Sequence, residues 1–228
     1  MCGRYTLGTD DEALIEAFDV SALTFDFVPR FNIAPGQLAP VVAEDRRGRR
    51  IGLLTWGLVP SWVYEPAPGF VNARSESVAN KPSFREAFRR RRCLVPADGF
   101  YEWQPTAAGK VPHWFHPPDA AVLSFAGIWE SWSRPGSEAR YTFAILTTRA
   151  SQDIAPVHDR MPVVVEASDR DAWLSRTTDE RALLSLLRPA STGTFAAHAV
   201  SIRVNRVSED DAELVEQKLR PSEDVSLP

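Results

Sequence analysis

Cysteine is scarce in this chain of 228 residues, which has only Cys2 and Cys93. Two cysteines cannot form a disulfide framework, and neither has the CxxC or Cys/His spacing that suits zinc. The sequence therefore predicts no metal site, and we expect no cofactor.

Long apolar runs are also missing. A run such as Val163 to Val165 is far shorter than the roughly 20 residues that a membrane-spanning helix needs. The N-terminus enters charged residues at Asp10 to Glu12, which does not fit a signal peptide. We expect a soluble, cytoplasmic, monomeric protein with no membrane association, folded as one domain over residues 1–228.

Lysine is rare, since only three of the 26 basic residues are lysines. Nearly all positive charge is thus carried by planar guanidinium groups, which suit bidentate contacts to phosphate. Genome base composition can produce the same bias, so the ratio alone does not decide the function. A net charge of −4 argues against a polycation that coats nucleic acid nonspecifically.

Strand patterns outnumber helical ones. Alternating or β-branched runs predict strands at Cys2–Leu7, Leu38–Ala43, Ile51–Trp56, Cys93–Val95, Phe100–Trp103, Val122–Trp129, Tyr141–Thr147, Met161–Val165 and Ala199–Val204. Helices are predicted at Asp10–Phe18 with Asp10 as N-cap, Ser83–Arg90, Asp169–Leu174 and Asp179–Leu187. Most strands follow one another without a helix between them. This order predicts an α+β fold with mainly antiparallel, curved, barrel-like sheets and a few surrounding helices, and the acidic tail from Ser208 is expected to end loosely.

Cys2 is the most informative single residue. Removal of Met1, which requires a small second residue such as Cys, would leave an α-amine and a thiol on adjacent carbons. The amine of such a 1,2-aminothiol condenses with an aldehyde, and the thiol then closes a five-membered thiazolidine ring on the same carbon. An α-amine has a pKa of about 7.7 to 8.0, so a useful fraction is neutral and nucleophilic near pH 7. Most second-position cysteines are nevertheless inert.

Three further side chains could support that chemistry. Condensation needs one proton removed from nitrogen and another delivered to a departing oxygen, and a carboxylate and an imidazole can divide these transfers. Glu102 and His158 are the candidates, and Asn72 offers both a donor and an acceptor to orient the reacting groups. Each has a structural alternative: Glu102 could pair with an arginine, Asn72 could cap a turn, and His158 could be a satisfied loop histidine.

Several ordered segments together resemble the SOS response-associated peptidase family, the abasic-site processing proteins of bacteria and eukaryotes. The resemblance rests on Cys2-Gly3-Arg4-Tyr5, Asn32-Ile33-Ala34-Pro35, Trp56 to Trp62, Asn72-Ala73-Arg74, Lys81 through Trp103, Ala126 to Glu130, Thr147-Thr148 and His158 to Pro162. Members bond covalently through the terminal Cys to the ring-opened aldehyde of an abasic site in single-stranded DNA. The resemblance thus implies abasic single-stranded DNA as the partner and association with the nucleoid when bound.

The resemblance also implies residue roles. Glu102 would be the general acid/base, and His158 would aid sugar ring opening or Schiff-base formation. Arg4, Arg74 and Arg160 would contact phosphates, although a lone arginine can equally form a surface ion pair. Trp56, Trp62 and Trp103 could stack on bases beside the lesion, with Trp62 named as the DNA-binding candidate and a core position favoured for Trp56 and Trp129.

Two other functions stay open at this level. Cys2 and His158, with Asn72 or Glu102, could form a thiol peptidase whose action could be limited to removing Met1. The chain could also be a passive single-strand binding module. Abasic-site lyase activity and self-reversal could accompany the crosslink, because a Schiff base at C1′ acidifies the C2′ protons.

Overall fold

The computed structural model describes residues 2–64 and 68–218. The strands are β1 (Tyr5–Leu7), β2 (Arg30–Ile33), β3 (Leu38–Asp45), β4 (Gly48–Trp56), β5 (Asn72–Arg74), β6 (Arg92–Ala97), β7 (Gly99–Thr106), β8 (Gly109–His116), β9 (Leu123–Trp132), β10 (Arg140–Arg149), β11 (Arg160–Pro162) and β12 (Ala196–Ala199). The helices are α1 (Asp11–Phe18), α2 (Arg85–Arg90), α3 (Arg170–Leu174) and α4 (Glu180–Leu186), with short 3-10 turns at Ala167–Asp169, Ile202–Asn205 and Ala212–Val215.

Five strands close into a ring. β10 pairs with β4, β4 with β3, β3 with β6, β6 with β9, and β9 pairs back with β10. The pairings of β10 with β4 and β5 are parallel, and the other pairings of this sheet are antiparallel. The predicted α+β fold with mainly antiparallel, barrel-like sheets is confirmed.

A second sheet lies against this ring in the order β12-β8-β7-β1-β2, and all its pairings are antiparallel. Aromatic side chains join the two sheets. The Tyr5 ring of β1 lies 5.1 Å edge-on from Trp56 of β4, and Trp56 stacks 6.2 Å from Phe143 of β10. Trp56 is fully buried, as predicted, whereas Trp129 is only partly buried against the core.

Most predicted elements are present with shifted ends, and Asp10 caps α1 by accepting a hydrogen bond from the Ala13 backbone N–H at 2.8 Å. The predicted strand Ala199–Val204 is wrong. The last strand runs from Ala196 to Ala199, and Ile202–Asn205 forms a 3-10 turn capped by the Ser201 hydroxyl. An apolar pattern over so short a run fits either structure, and the cap decides for the turn.

Strands β2, β5 and β8 were not predicted. β2 and β5 have four and three residues with arginine and asparagine among them, and β8 contains Pro112 and several polar residues. Their strand character comes from pairing with neighbours, which no local pattern reveals. The tail prediction concerns the last few residues of the chain, which lie outside the part that the structure describes.

No helix within residues 2–64 and 68–218 is long and apolar enough to cross a membrane.

Candidate active site

The β1–β7 pairing brings the N-terminus to Glu102. Tyr5 pairs with Phe100, and the Tyr101 backbone N–H donates to the Arg4 carbonyl at 3.0 Å. Because the strands are antiparallel, the residues before β1 run alongside the residues after Phe100. Cys2 and Glu102 therefore meet although 100 positions separate them in the sequence.

Strand β10 positions the other two candidate residues. Its second half pairs with β5, which begins at Asn72, and with β11, which begins two residues after His158. The Asn72 side-chain amide donates to the Cys2 carbonyl at 2.8 Å, fixing the N-terminal segment. The Asn72 Oδ1 is buried and has no hydrogen-bond partner among the described residues, so it remains an acceptor beside Cys2.

His158 and Glu102 face each other, with 3.8 Å between Nε2 and Oε2. The Arg160 backbone N–H donates to His158 Nδ1 at 2.9 Å, which assigns the neutral ring the tautomer with its proton on Nε2. That proton is directed toward the Glu102 carboxylate. His158 Nδ1 also lies 3.1 Å from the exposed Asp159 carboxylate, which can form an ion pair with the imidazolium form of the ring.

Burial controls the electrostatics of the site. Desolvation raises the pKa of Glu102, an effect that His158 partly offsets. Desolvation also raises the pKa of the Cys2 thiol, and the Glu102 charge raises it further. Cys2 is fully buried, and its Sγ lies 3.9 Å from the Arg4 carbonyl. The site thus favours a neutral thiol and a carboxyl group that readily takes up a proton.

A cleft of about 440 Å³ opens onto this pair, lined by Glu102, Trp103, Lys110, His158 and Asn205. The Trp103 indole N–H donates to Asn205 Oδ1 at 2.8 Å and holds that side chain at the cleft. Lys110 and Asn205 were not identified from the sequence. Neither lies in a motif, and both reach the cleft only through tertiary contacts.

The three arginines predicted to contact phosphate have different surroundings. Arg4 donates to Asn32 Oδ1 at 2.8 Å and to the Val204 carbonyl at 2.6 Å. Arg160 forms a bidentate pair with Glu76 at 2.6 and 2.9 Å. Arg74 is exposed, and its guanidinium has no hydrogen-bond or ion-pair partner within the described ranges. Arg74 is therefore the most available of the three for a phosphate.

Trp62 is 67% exposed, so its ring is accessible for stacking. The run Arg89 to Arg92 does not form one basic face. Arg89, Arg90 and Arg91 pair with Glu180, Glu86 and Glu130, respectively. Arg92 is buried and donates to backbone carbonyls including that of Trp173 at 2.7 Å, and its desolvation lowers its pKa to about 10.

Cys93 is fully buried in the core, and desolvation raises the pKa of its thiol. It lies in β6 rather than at the cleft. Among the described residues, no three His, Cys, Asp or Glu side chains are grouped to hold a metal ion.

The fold and the site define a barrel-like α+β protein with a carboxylate–imidazole pair at a cleft and a buried cysteine whose thiol is under the influence of that carboxylate. The chain belongs to the SOS response associated peptidase (SRAP) family, whose model matches residues 1–207.

Two named proteins are similar to this chain over most of its length. The chain is 35% identical over 222 residues to the abasic site processing protein YoqW of Bacillus subtilis (strain 168), covering 95% of this chain and 99% of the relative. It is 33% identical over 220 residues to the abasic site processing protein HMCES of Gallus gallus, covering 81% of this chain and 65% of the relative.

Solved structures share the fold. A crystal structure of a Bacteroides thetaiotaomicron protein matches with a TM-score of 0.84 and 23% identity, covering 96% of this chain and 100% of that chain. A crystal structure of a phage-related protein from Bordetella bronchiseptica matches with a TM-score of 0.70 and 28% identity, covering 87% of this chain and 94% of that chain.

Proposed function

We propose that this protein processes abasic sites in single-stranded DNA by crosslinking to them through Cys2 once Met1 has been removed. The observation that carries the proposal is that the fold brings residues from separated segments together. Asn72 donates to the Cys2 carbonyl at 2.8 Å, the charge of Glu102 acts on the Cys2 thiol, and Glu102 lies 3.8 Å from His158 at the cleft. The names of the relatives, abasic site processing proteins, support the substrate class.

The reaction begins at the Cys2 amine. Its lone pair attacks the C1′ aldehyde of the ring-opened sugar and forms a carbinolamine, which loses its hydroxyl as water to give an imine. Glu102, whose pKa is raised by desolvation, delivers the proton that this water needs. His158 promotes ring opening by moving the proton between the C1′ hydroxyl and the ring oxygen.

Thiazolidine closure completes the crosslink. The Cys2 sulfur adds to the imine carbon, the thiol proton is released, and the imine nitrogen gains a proton, so the overall reaction loses one water. A carboxylate at Glu102 accepts the thiol proton. The same imine opens two further routes, namely reversal by hydrolysis and lyase activity by loss of a C2′ proton and elimination of the 3′ phosphate.

The thiol environment favours this chemistry over a peptidase. A cysteine protease needs a thiolate, which it obtains when a neighbouring imidazolium lowers the thiol pKa. Here burial and Glu102 raise the pKa of the Cys2 thiol. A neutral thiol still closes a ring onto an imine, because the amine has already brought the electrophilic carbon within reach.

Intact mass spectrometry after mixing the protein with single-stranded DNA that contains one abasic site tests the proposal. Wild type is expected to gain the mass of the strand minus one water. Cys2→Ser should give no heat-stable adduct, because an oxygen-containing ring closes less stably than a thiazolidine. Cys93→Ala is the matched control and should crosslink normally.

A protein verified to retain Met1 or a tag ahead of Cys2 should also form no crosslink, because the Cys2 nitrogen is then part of an amide and has no nucleophilic lone pair. Full adduct yield from such a protein, or loss of the adduct in a folded Cys93→Ala variant, would refute the aminothiol mechanism.

A further inference from the structure

A second concave surface lies along the ring, away from the cleft. It is a groove of about 600 Å³ along strands β3, β4, β9 and β10, and none of its lining residues lines the cleft. Tyr141, in this groove, precedes Ile145 by four residues, and Ile145 pairs with Asn72 of the site. At roughly 3.3 Å per residue, the groove begins about 13 Å along β10 from the active site.

Aromatic side chains form one wall of the groove. The rings of Trp129 and Tyr141 lie 6.2 Å apart and are tilted by 50°. Tyr141 is 49% exposed although it stands in a strand of the ring, so much of its ring surface is accessible. Gly52 also lines the groove and has no side chain, and a Cβ there would approach only Leu54, at 4.0 Å. This position therefore leaves open space in the groove.

Arginines border the groove. Arg49 pairs with Glu44 and Asp171, and Arg50 pairs with Asp45, so these two charges are compensated. Arg176 also lines the groove and is exposed, with no ion-pair partner in the described part of the chain. Arg46, likewise exposed and unpaired there, lines the adjoining cavity of about 310 Å³ together with Arg176.

We propose that this groove binds single-stranded DNA beyond the lesion, with a base stacked on Trp129 and Tyr141 and the flanking phosphates held by Arg176 and Arg46. Accessible aromatic rings beside uncompensated guanidinium groups are the combination that single-stranded nucleic acid requires. An acidic or apolar peptide would use only one of these two features. The inference rests on the proposed function, because it concerns the same strand that carries the abasic site.

Strand length tests the inference. Binding of undamaged strands of about 6 and about 20 nucleotides is compared, since single-strand sites typically cover about 4–16 nucleotides. Tyr141→Ala should weaken binding of the longer strand roughly fivefold or more, the equivalent of about 1 kcal/mol per lost stacked base. Arg176→Ser should also weaken binding of the longer strand, because it removes a phosphate contact. Binding of the shorter strand should change little. Arg47→Ser is the matched control. Arg47 is an exposed arginine next to Arg46 in the β3–β4 turn, but it lines neither the groove nor the adjoining cavity.

Arg176→Ser alters only an exposed side chain, so it keeps the test valid if Tyr141→Ala misfolds. Unchanged affinity for the longer strand, or an equal loss for both lengths, would overturn the inference. Adduct formation with a short abasic strand reports on the proposed function separately, because it should be normal in all three variants whichever result the longer strand gives.

Discussion

Glu102 holds a carboxyl group in a buried place where the charged form is costly. Its side chain is only 4% exposed, and desolvation raises its pKa in the folded protein. A raised pKa means that the folded state holds the proton more tightly than the unfolded chain does, so stability falls as pH rises above the unfolded value of about 4.3. This destabilisation accompanies the burial of the carboxyl group that we propose as the general acid/base.

Glu102→Gln should therefore raise the melting temperature at pH 7, because a neutral amide is less costly to bury. The gain should shrink near pH 4, where the wild-type carboxyl group is protonated. Thermal unfolding at both pH values measures the effect, with Glu12→Gln on the exposed face of α1 as control. A lower melting temperature for Glu102→Gln at pH 7 would contradict the assignment of desolvation as the dominant effect.

The same substitution should slow the chemistry. We expect Glu102→Gln to reduce the rates of both crosslink formation and release by about 10²–10⁴, the usual cost of losing a general acid/base. Noncovalent affinity for the strand should stay within a few-fold, because a carboxylate does not attract the phosphate groups that dominate binding. Single-turnover adduct formation and transfer to a competing abasic strand give the two rates. Equal rates in wild type and variant would exclude Glu102 from the mechanism.

At the scale of elements, a C-terminal strap, residues 200–215, fastens the cleft to strand β2. The Asn32 side chain of β2 donates to the carbonyls of Val204, Arg206 and Glu209 at 3.2, 3.0 and 2.7 Å. Asp210 in return accepts hydrogen bonds from the Phe31 and Asn32 backbone N–H groups. The strap thereby places Asn205 at the cleft.

Asn32→Ala should cost about 1–3 kcal/mol of unfolding free energy, because it removes the side-chain amide that donates to three carbonyls of the strap. It also removes the acceptor that orients Arg4. Urea unfolding measures the loss, and Asn80→Ala, at an exposed position, is the control. An unfolding midpoint equal to that of wild type would show that the Asn32 side chain does not stabilise the strap.

Sequence patterns predicted elements best where the local signal was strong. The Asp10 cap and the following apolar spacing located α1, and β-branched runs located the ring strands. The sequence pattern did not predict β5, whose three residues form a strand because they pair with β10. Long-range pairing of this kind has no local signature.

At the scale of the whole molecule, the net charge of −4 does not show which arginines are available to bind phosphate. If Arg4, Arg74 and Arg160 each neutralise one phosphate, binding should fall with salt with a log–log slope of roughly −2, about −0.7 per contact on single strands. Arg160 would have to exchange Glu76 for the phosphate, whereas Arg74 has no partner to give up among the described residues.

Arg74→Ala should therefore reduce the magnitude of the slope by about 0.7. Fluorescence anisotropy across a salt series measures it, with the paired surface residue Arg90→Ala as control. A slope unaltered in the alanine variants of Arg4, Arg74 and Arg160 would place the strand on another surface.

The sequence by itself predicted the class of fold and supplied the residues on which the proposed chemistry rests. Cys2 at the second position, the motifs around Asn72, Glu102 and His158, and the order of strands are local properties that can be read without coordinates. The tertiary structure determined the burial and the interaction partners of each group. Desolvation depends on every neighbour, so the raised pKa of Glu102 became visible only in the folded chain. The pairing of Arg160 with Glu76, 84 positions apart, and the positions of Lys110 and Asn205 at the cleft likewise depend on how distant strands meet.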